Sequence, residues 1–209
     1  MIVIRAKHDI ITAYLYYYSE ELVRVAERRG FKVAKIEGAD ISEATLRSRI
    51  SNKKPRFIFF NGHGSNTALF NNKKEEFINK KSADVFNETI AYTVACSCLI
   101  GLGTEAVNKG CKAFIGYRRP FWIARSHKYE TRPLEDKVAK PIIECSSIVV
   151  YSLIKGNTVL ESIRKSHEKA ADNIIKLIYS KEPLASASLQ ALVANDSALD
   201  FEGQDLATV

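Results

Sequence analysis

Short apolar runs alternate with segments of helical period along this chain, and that alternation leaves few folds open. The runs "MIVIRA", "FKVAKI", "RFIFF", "AYTVAC" and "CKAFIGY" read as strands. Between them, "ITAYLYYYSEELVRVAERRG" has helical periodicity and stops at Gly30. The segment "DISEATLRSRI" opens as a helix, with Asp40 and Glu43 at capping-box spacing. "GLGTEAVNKG" reads as a short helix closed by Gly110, "SADVFNE" as another, and "NNKKEE" as a hairpin or loop. Residues 118–133 are expected to form a long loop. Two helices follow, "PLEDKVAKPIIECSSIVVYSLIKG", bent at Pro141, and "TVLESIRKSHEKAADNIIKLIYS", and the tail "LQALVANDSALDFEG" ends in a last strand. Strands and helices in this order, joined by short connections, predict one domain over residues 1–209. It is a three-layer α/β/α fold with a mainly parallel sheet. Such folds place their chemistry at the carboxyl ends of the strands.

Composition narrows the setting. The apolar fraction of 46% and charged fraction of 26% are those of a soluble globular protein. No apolar run is long enough to span a bilayer, and "MIVIRAKHD" lacks the order of a signal peptide, so a cytoplasmic protein is expected. The formal charge is +7, but the basic residues are scattered through "AERRG", "NNKKEE" and "YRRP". That pattern reads as a solvated basic surface, with no nucleic acid partner expected. The four cysteines, Cys96, Cys98, Cys111 and Cys145, form no paired C-x-x-C knuckles, so no structural zinc is expected and the thiols are expected to be reduced. His8, His127 and His167 have no ligand-spaced partners, and His167 reads as a solvated helix residue.

Two strand ends carry complementary chemistry. His63 lies just past "RFIFF", between Gly62 and Gly64, and Cys96 ends "AYTVAC". Taken singly, Gly-His-Gly is a turn and a cysteine in an apolar strand is a small core residue. Together they form a candidate pair. A histidine can turn a cysteine into a thiolate nucleophile and later protonate a leaving amine. Gly64 has no side chain to keep a carbonyl away from its N–H, and with the N–H of Cys96 it offers an oxyanion hole.

The segments "FFNGHGSN" and "TVACSCLIGLGTEAVNKGCKAFIGY", followed by Trp122, resemble the caspase-like cysteine peptidases. Within that group the chain looks most like the gingipain and CHAT-domain branch. The helix start in "VVYSLIKGNTVLESIRKSHEKA" and the tail "NDSALDFEGQD" are similar to that branch as well. The resemblance covers roughly residues 56 to 205. It implies a cysteine endopeptidase acting on protein or peptide substrates without a cofactor. By it, His63 is the general base and acid, Cys96 the nucleophile, and Gly64 and Cys96 the oxyanion donors. Two departures stand out. Cys98 occupies a position where the family has Ser or Gly, and Gly203-Gln204-Asp205 replaces Gly-Asp in the tail.

Substrate preference is expected to rest on the segment after the first strand, on Trp122 and on the arginines. Asp9 in a pocket favours a basic residue before the scissile bond, Lys7 or His8 there an acidic one, and otherwise Asp9 caps the helix that starts near Ile10. Arg118 and Arg119, turned inward, favour an acidic one. A loop beyond the catalytic cysteine is often cut in caspase-like enzymes, which makes residues 118–133 a candidate for processing. Two rivals remain. One is a caspase-like domain that binds without turnover. The other takes "GLGTEA" as a dinucleotide fingerprint, with Arg118 and Arg119 suited to NADP.

Overall fold

A computed structural model describes residues 1–209. The elements in chain order begin with β1 (Ile2–Arg5), α1 (Ile10–Arg28), β2 (Ala34–Glu37), α2 (Glu43–Lys53) and β3 (Phe57–Asn61). A small hairpin follows, β4 (Ala68–Phe70) and β5 (Glu76–Asn79), then β6 (Ile90–Val94), α3 (Thr104–Asn108) and β7 (Ala113–Tyr117). The chain closes with α4 (Lys140–Leu153), α5 (Val159–Ile178), α6 (Ala185–Asp196) and β8 (Leu199–Gly203). Six strands form one sheet in the order β2-β1-β3-β6-β7-β8, parallel except for the antiparallel β8 at one edge. The predicted neighbours are in place, with β3 beside β6 and β7 on the far side of β6.

The sheet is covered on both faces, and side-chain alternation shows how. Ile2, Ile4, Ile58, Phe60, Ala91 and Phe114 point to one core, shared with Leu46 of α2 and Ala106 of α3. Val3, Phe57, Phe59, Tyr92, Ile115 and Tyr117 point to the other, under α1, α4 and α5. The central strands β3, β6 and β7 are therefore buried at every position, as strands covered on both faces must be.

Strand order reverses between β1 and β3: from β1 the chain winds outward to β2, then returns to β3 and winds the other way. Ligand crevices open at such switch points, beyond the carboxyl ends of the strands. Register puts Arg5, Asn61 and Val94 side by side at that edge. Arg5 is 1% exposed and braces it: Nε donates to Glu37, the guanidinium pairs with Glu20, and it stacks over the Tyr16 ring.

Four local readings are corrected. Ser42, not Asp40, caps α2, because its hydroxyl accepts from Thr45 N–H. Helix α4 starts at Lys140 with Pro141 in its first turn, where a missing N–H costs nothing, and only a 3₁₀ turn at Pro133–Glu135 and a short turn precede it, so Pro141 bends no helix. Residues 185–196 form α6, which packs Ala191 and Leu192 against Ile142 and Ala170. His167 is not merely solvated: its Nδ1 lies 2.7 Å from Asp196 and ties α5 to the end of α6, and that hydrogen bond raises its pKa.

Removing Arg5 strands two carboxylates that are each 31% exposed, so water recovers part of their solvation. Arg5→Ala is expected to lower the unfolding free energy by about 3 kcal/mol, the low end for a broken buried pair, as read by urea denaturation.

Candidate active site

The register of β3 and β6 continues past their ends. Asn61 pairs with Val94, and His63 and Cys96 each lie two residues further along neighbouring parallel strands. Adjacent strands run about 4.8 Å apart, so both residues follow the carboxyl ends of neighbouring strands at the same sheet edge. Gly62 N–H still donates to Val94 O at 3.2 Å, which carries the pairing one step beyond the strand.

Asp9 arrives from β1. It is the N-cap of α1: its Oδ1 accepts from Thr12 N–H at 2.8 Å, while Thr12 Oγ1 accepts from the N–H groups of His8 and Asp9. Its other oxygen, Oδ2, lies 2.5 Å from His63 Nε2. Burial pushes the Asp9 carboxyl upward. The Thr12 N–H and then His63 outweigh it, and the pKa falls from 3.8 to about 2. Asp9 is thus a carboxylate at neutral pH and an acceptor only, so His63 Nε2 is the donor, and in the neutral imidazole Nδ1 holds the lone pair. The sequence raised Asp9 as a cap or a pocket carboxylate. The structure shows the cap and adds a contact to His63 that spacing alone did not reveal. His8, expected to stand alone, lies beside them, its ring 5.2 Å from that of His63.

Cys96 is half-buried, with Sγ 3.9 Å from the Phe121 carbonyl oxygen. Ser97, next in the chain, has φ 55, a left-handed turn that costs a residue with a side chain about 1 kcal/mol or more. That turn sends Cys98 back under the site. Cys98 is fully buried, and burial pushes its thiol well above the ordinary range. Cys111 and Cys145 are buried too, their thiols pushed up to about 12. Gly64 lies directly over Cys98: a Cβ there would sit 2.4 Å from Cys98 Sγ and 2.9 Å from Ala95 Cβ. The N–H groups of Gly64 and Cys96 donate to no group of the protein.

The remaining candidates lie further out. Arg118 is paired with Asp200 and Glu202 of β8, and Arg119 with Ser197, so neither is turned inward. Trp122 is 58% exposed, its backbone held by Asn195 through two hydrogen bonds. Its ring lines an open groove of about 400 Å³ with Ile123, Ala124, Gln190, Ala191 and Ala194. The loop carrying it is anchored further on by buried Asp136, which accepts from Tyr14 OH and Ser126 N–H. "GLGTEA" has no room for a pyrophosphate. A Cβ on Gly101 would meet the Asn66 carbonyl oxygen at 2.0 Å, and that oxygen already accepts from Leu102 N–H. Gly101 serves close packing of the loop after His63 against the turn after Cys96, and Gly103 close packing against Phe114 of β7.

No family model matches the chain, and no curated protein matches it. Solved structures do. The Arg-specific cysteine proteinase gingipain R aligns over 100% of this chain and 46% of its own, with a TM-score of 0.60 at 12% identity. A chain of the complex of Porphyromonas gingivalis RgpB pro- and mature domains aligns over 99% of this chain and 48% of its own, with a TM-score of 0.56 at 11% identity. The fold is therefore the caspase-like fold of gingipain R, and this chain spans about half the length of those chains. No helix is long and apolar enough to cross a membrane.

Two outcomes test this geometry. Gly64→Ala should destabilise by about 1–3 kcal/mol through overpacking, and in a Cys98→Ala background about 1 kcal/mol of that should return; a double-mutant cycle in urea reads the coupling. Asp9 has a folded pKa below its unfolded one, so its contribution to stability is complete above the ordinary carboxylate range and disappears as pH falls through about 2. The stability difference between wild type and Asp9→Asn should shrink over that interval, as followed by thermal melts.

Proposed function

We propose that this chain is a cysteine peptidase whose dyad is His63 and Cys96, positioned by Asp9. The observation that carries the reading is the 2.5 Å contact between Asp9 Oδ2 and His63 Nε2. It favours the tautomer whose Nδ1 is a base, at the carboxyl edge of the sheet where the strand leading to Cys96 also ends. In this mechanism Nδ1 takes the Cys96 proton, and the thiolate attacks the substrate carbonyl carbon. The oxyanion receives the free N–H groups of Gly64 and Cys96. The imidazolium, stabilised by the Asp9 carboxylate, then protonates the leaving amine. Water, deprotonated by the same Nδ1, releases the acyl group. The fold likeness to gingipain R supports the peptidase class. The sequence motifs, not that likeness, carry any closer kinship with CHAT-domain proteins.

Substrate choice follows from which groups remain free. A basic preference drew on Asp9, whose two oxygens are engaged by Thr12 and His63. The groove beside Trp122 begins one residue from Phe121, whose carbonyl faces Cys96, and its lining is uncharged. It is the better receptor for the side chain before the scissile bond, and it suits an apolar one.

Iodoacetamide should label Cys96 before the other thiols, and His63→Ala should slow that labelling by about tenfold or more, since the thiolate is the reacting species. Cys96→Ala should abolish peptide turnover. In a matched panel, peptides with an apolar residue before the scissile bond should be cut faster than those with Arg, Lys or Asp. Labelling unchanged in His63→Ala, with no turnover, would leave a caspase-like binding domain instead.

A further inference from the structure

His8 is an anomaly beside this site. Its side chain is only 9% exposed, yet neither ring nitrogen has a hydrogen-bond partner. Buried imidazoles are ordinarily satisfied, because a dry polar nitrogen forfeits its hydration. The residue is not loosely held: its N–H donates to Thr12 Oγ1, which fixes it to the first turn of α1. Its Nε2 is aimed at the Asp9–His63 pair and lies 3.6 Å from Asp9 Oδ2. One ligand atom each from His8, Asp9 and His63 lies within 4.8 Å of the others.

We propose that His8, Asp9 and His63 bind a divalent transition metal ion, Zn²⁺ foremost, and that the bound ion silences the dyad. Two imidazoles and a carboxylate favour zinc over magnesium or calcium, which prefer oxygen donors. Tetrahedral zinc with bonds near 2.0–2.2 Å sets its ligand atoms about 3.3 Å apart. The Asp9–His63 contact opens to that spacing and His8 draws in, all within side-chain reach. Asp9 and His63 are about one-third exposed, so water or a substrate group can fill the fourth position.

The switch is a matter of one proton. In the metal-free site His63 Nε2 carries the proton toward Asp9, and Nδ1 holds the lone pair. Zinc takes the Nε2 lone pair as its bond, and the proton that Nε2 held passes through solvent to Nδ1, with no net release. The neutral imidazole then carries its single proton on Nδ1 and has no lone pair to deprotonate Cys96. This silencing, unlike the binding itself, rests on the assignment of His63 as the base.

The test titrates the full chain with zinc chloride in a Cys96→Ser background, which removes the one half-exposed thiol. Calorimetry should show one ion per chain, with no magnesium binding. Adding His8→Gln or Asp9→Asn should weaken binding by about tenfold or more, as losing even an outer-shell partner does. Cobalt should give ligand-field bands without a thiolate charge-transfer band. No zinc binding in Cys96→Ser, or binding unchanged by both added substitutions, overturns the site. Zinc held through His8 in a chain without peptidase activity supports the site and removes the peptidase reading. Peptidase activity unaffected by saturating zinc overturns the silencing and leaves that reading in place.

Discussion

The parallel ladder of β1, β3 and β6 is the constraint on which the site depends. Its hydrogen bonds hold Arg5, Asn61 and Val94 level, and His8, Asp9, His63, Gly64 and Cys96 follow within a few residues. A slip of one residue would exchange the two faces of β3 and send Phe57 and Phe59 into the wrong core. Hydrophobic burial on both faces therefore defends the position of a polar site that contributes no burial of its own. Arg5 adds a charged brace at the same edge, where its desolvated guanidinium is met by two carboxylates and an aromatic face.

Around Cys96 the chain is arranged by close contacts. A left-handed Ser97 turns Cys98 under Gly64, and Asn66 closes over Gly101. The loop after His63 and the turn after Cys96 are thereby packed as one unit, with glycine wherever backbone meets side chain. The second thiol, at the position where the resembled family has Ser or Gly, is part of the floor of the site. Burial disfavours the Cys98 thiolate, the form of a thiol that reacts.

The strands and their order were legible because their periodicity records two-sided burial, which is a local property of composition. "RFIFF" and "AYTVAC" are apolar throughout, and their neighbouring positions follow from how parallel sheets wind. The errors fell where a tertiary partner overrides the local signal. Residues 185–196 lack a strong amphipathic stripe and become α6 only against α4 and α5. The Ser42 cap prevailed over Asp40 through one hydroxyl, a difference of two residues along the chain. His167 looked solvated because Asp196 is distant in sequence.

By itself the sequence determined a parallel α/β sheet and the arrival of a histidine and a cysteine at its carboxyl edge. Both follow from short-range pattern: alternation, apolar runs, and glycines flanking a strand end. Only the tertiary structure decided what surrounds them. It spent the Asp9 carboxylate on His63, buried His8 without a partner, drew Arg118 away to β8 and set Trp122 over an uncharged groove. Each of these outcomes joins segments tens of residues apart, and contact at that range is fixed by packing and register rather than by spacing along the chain.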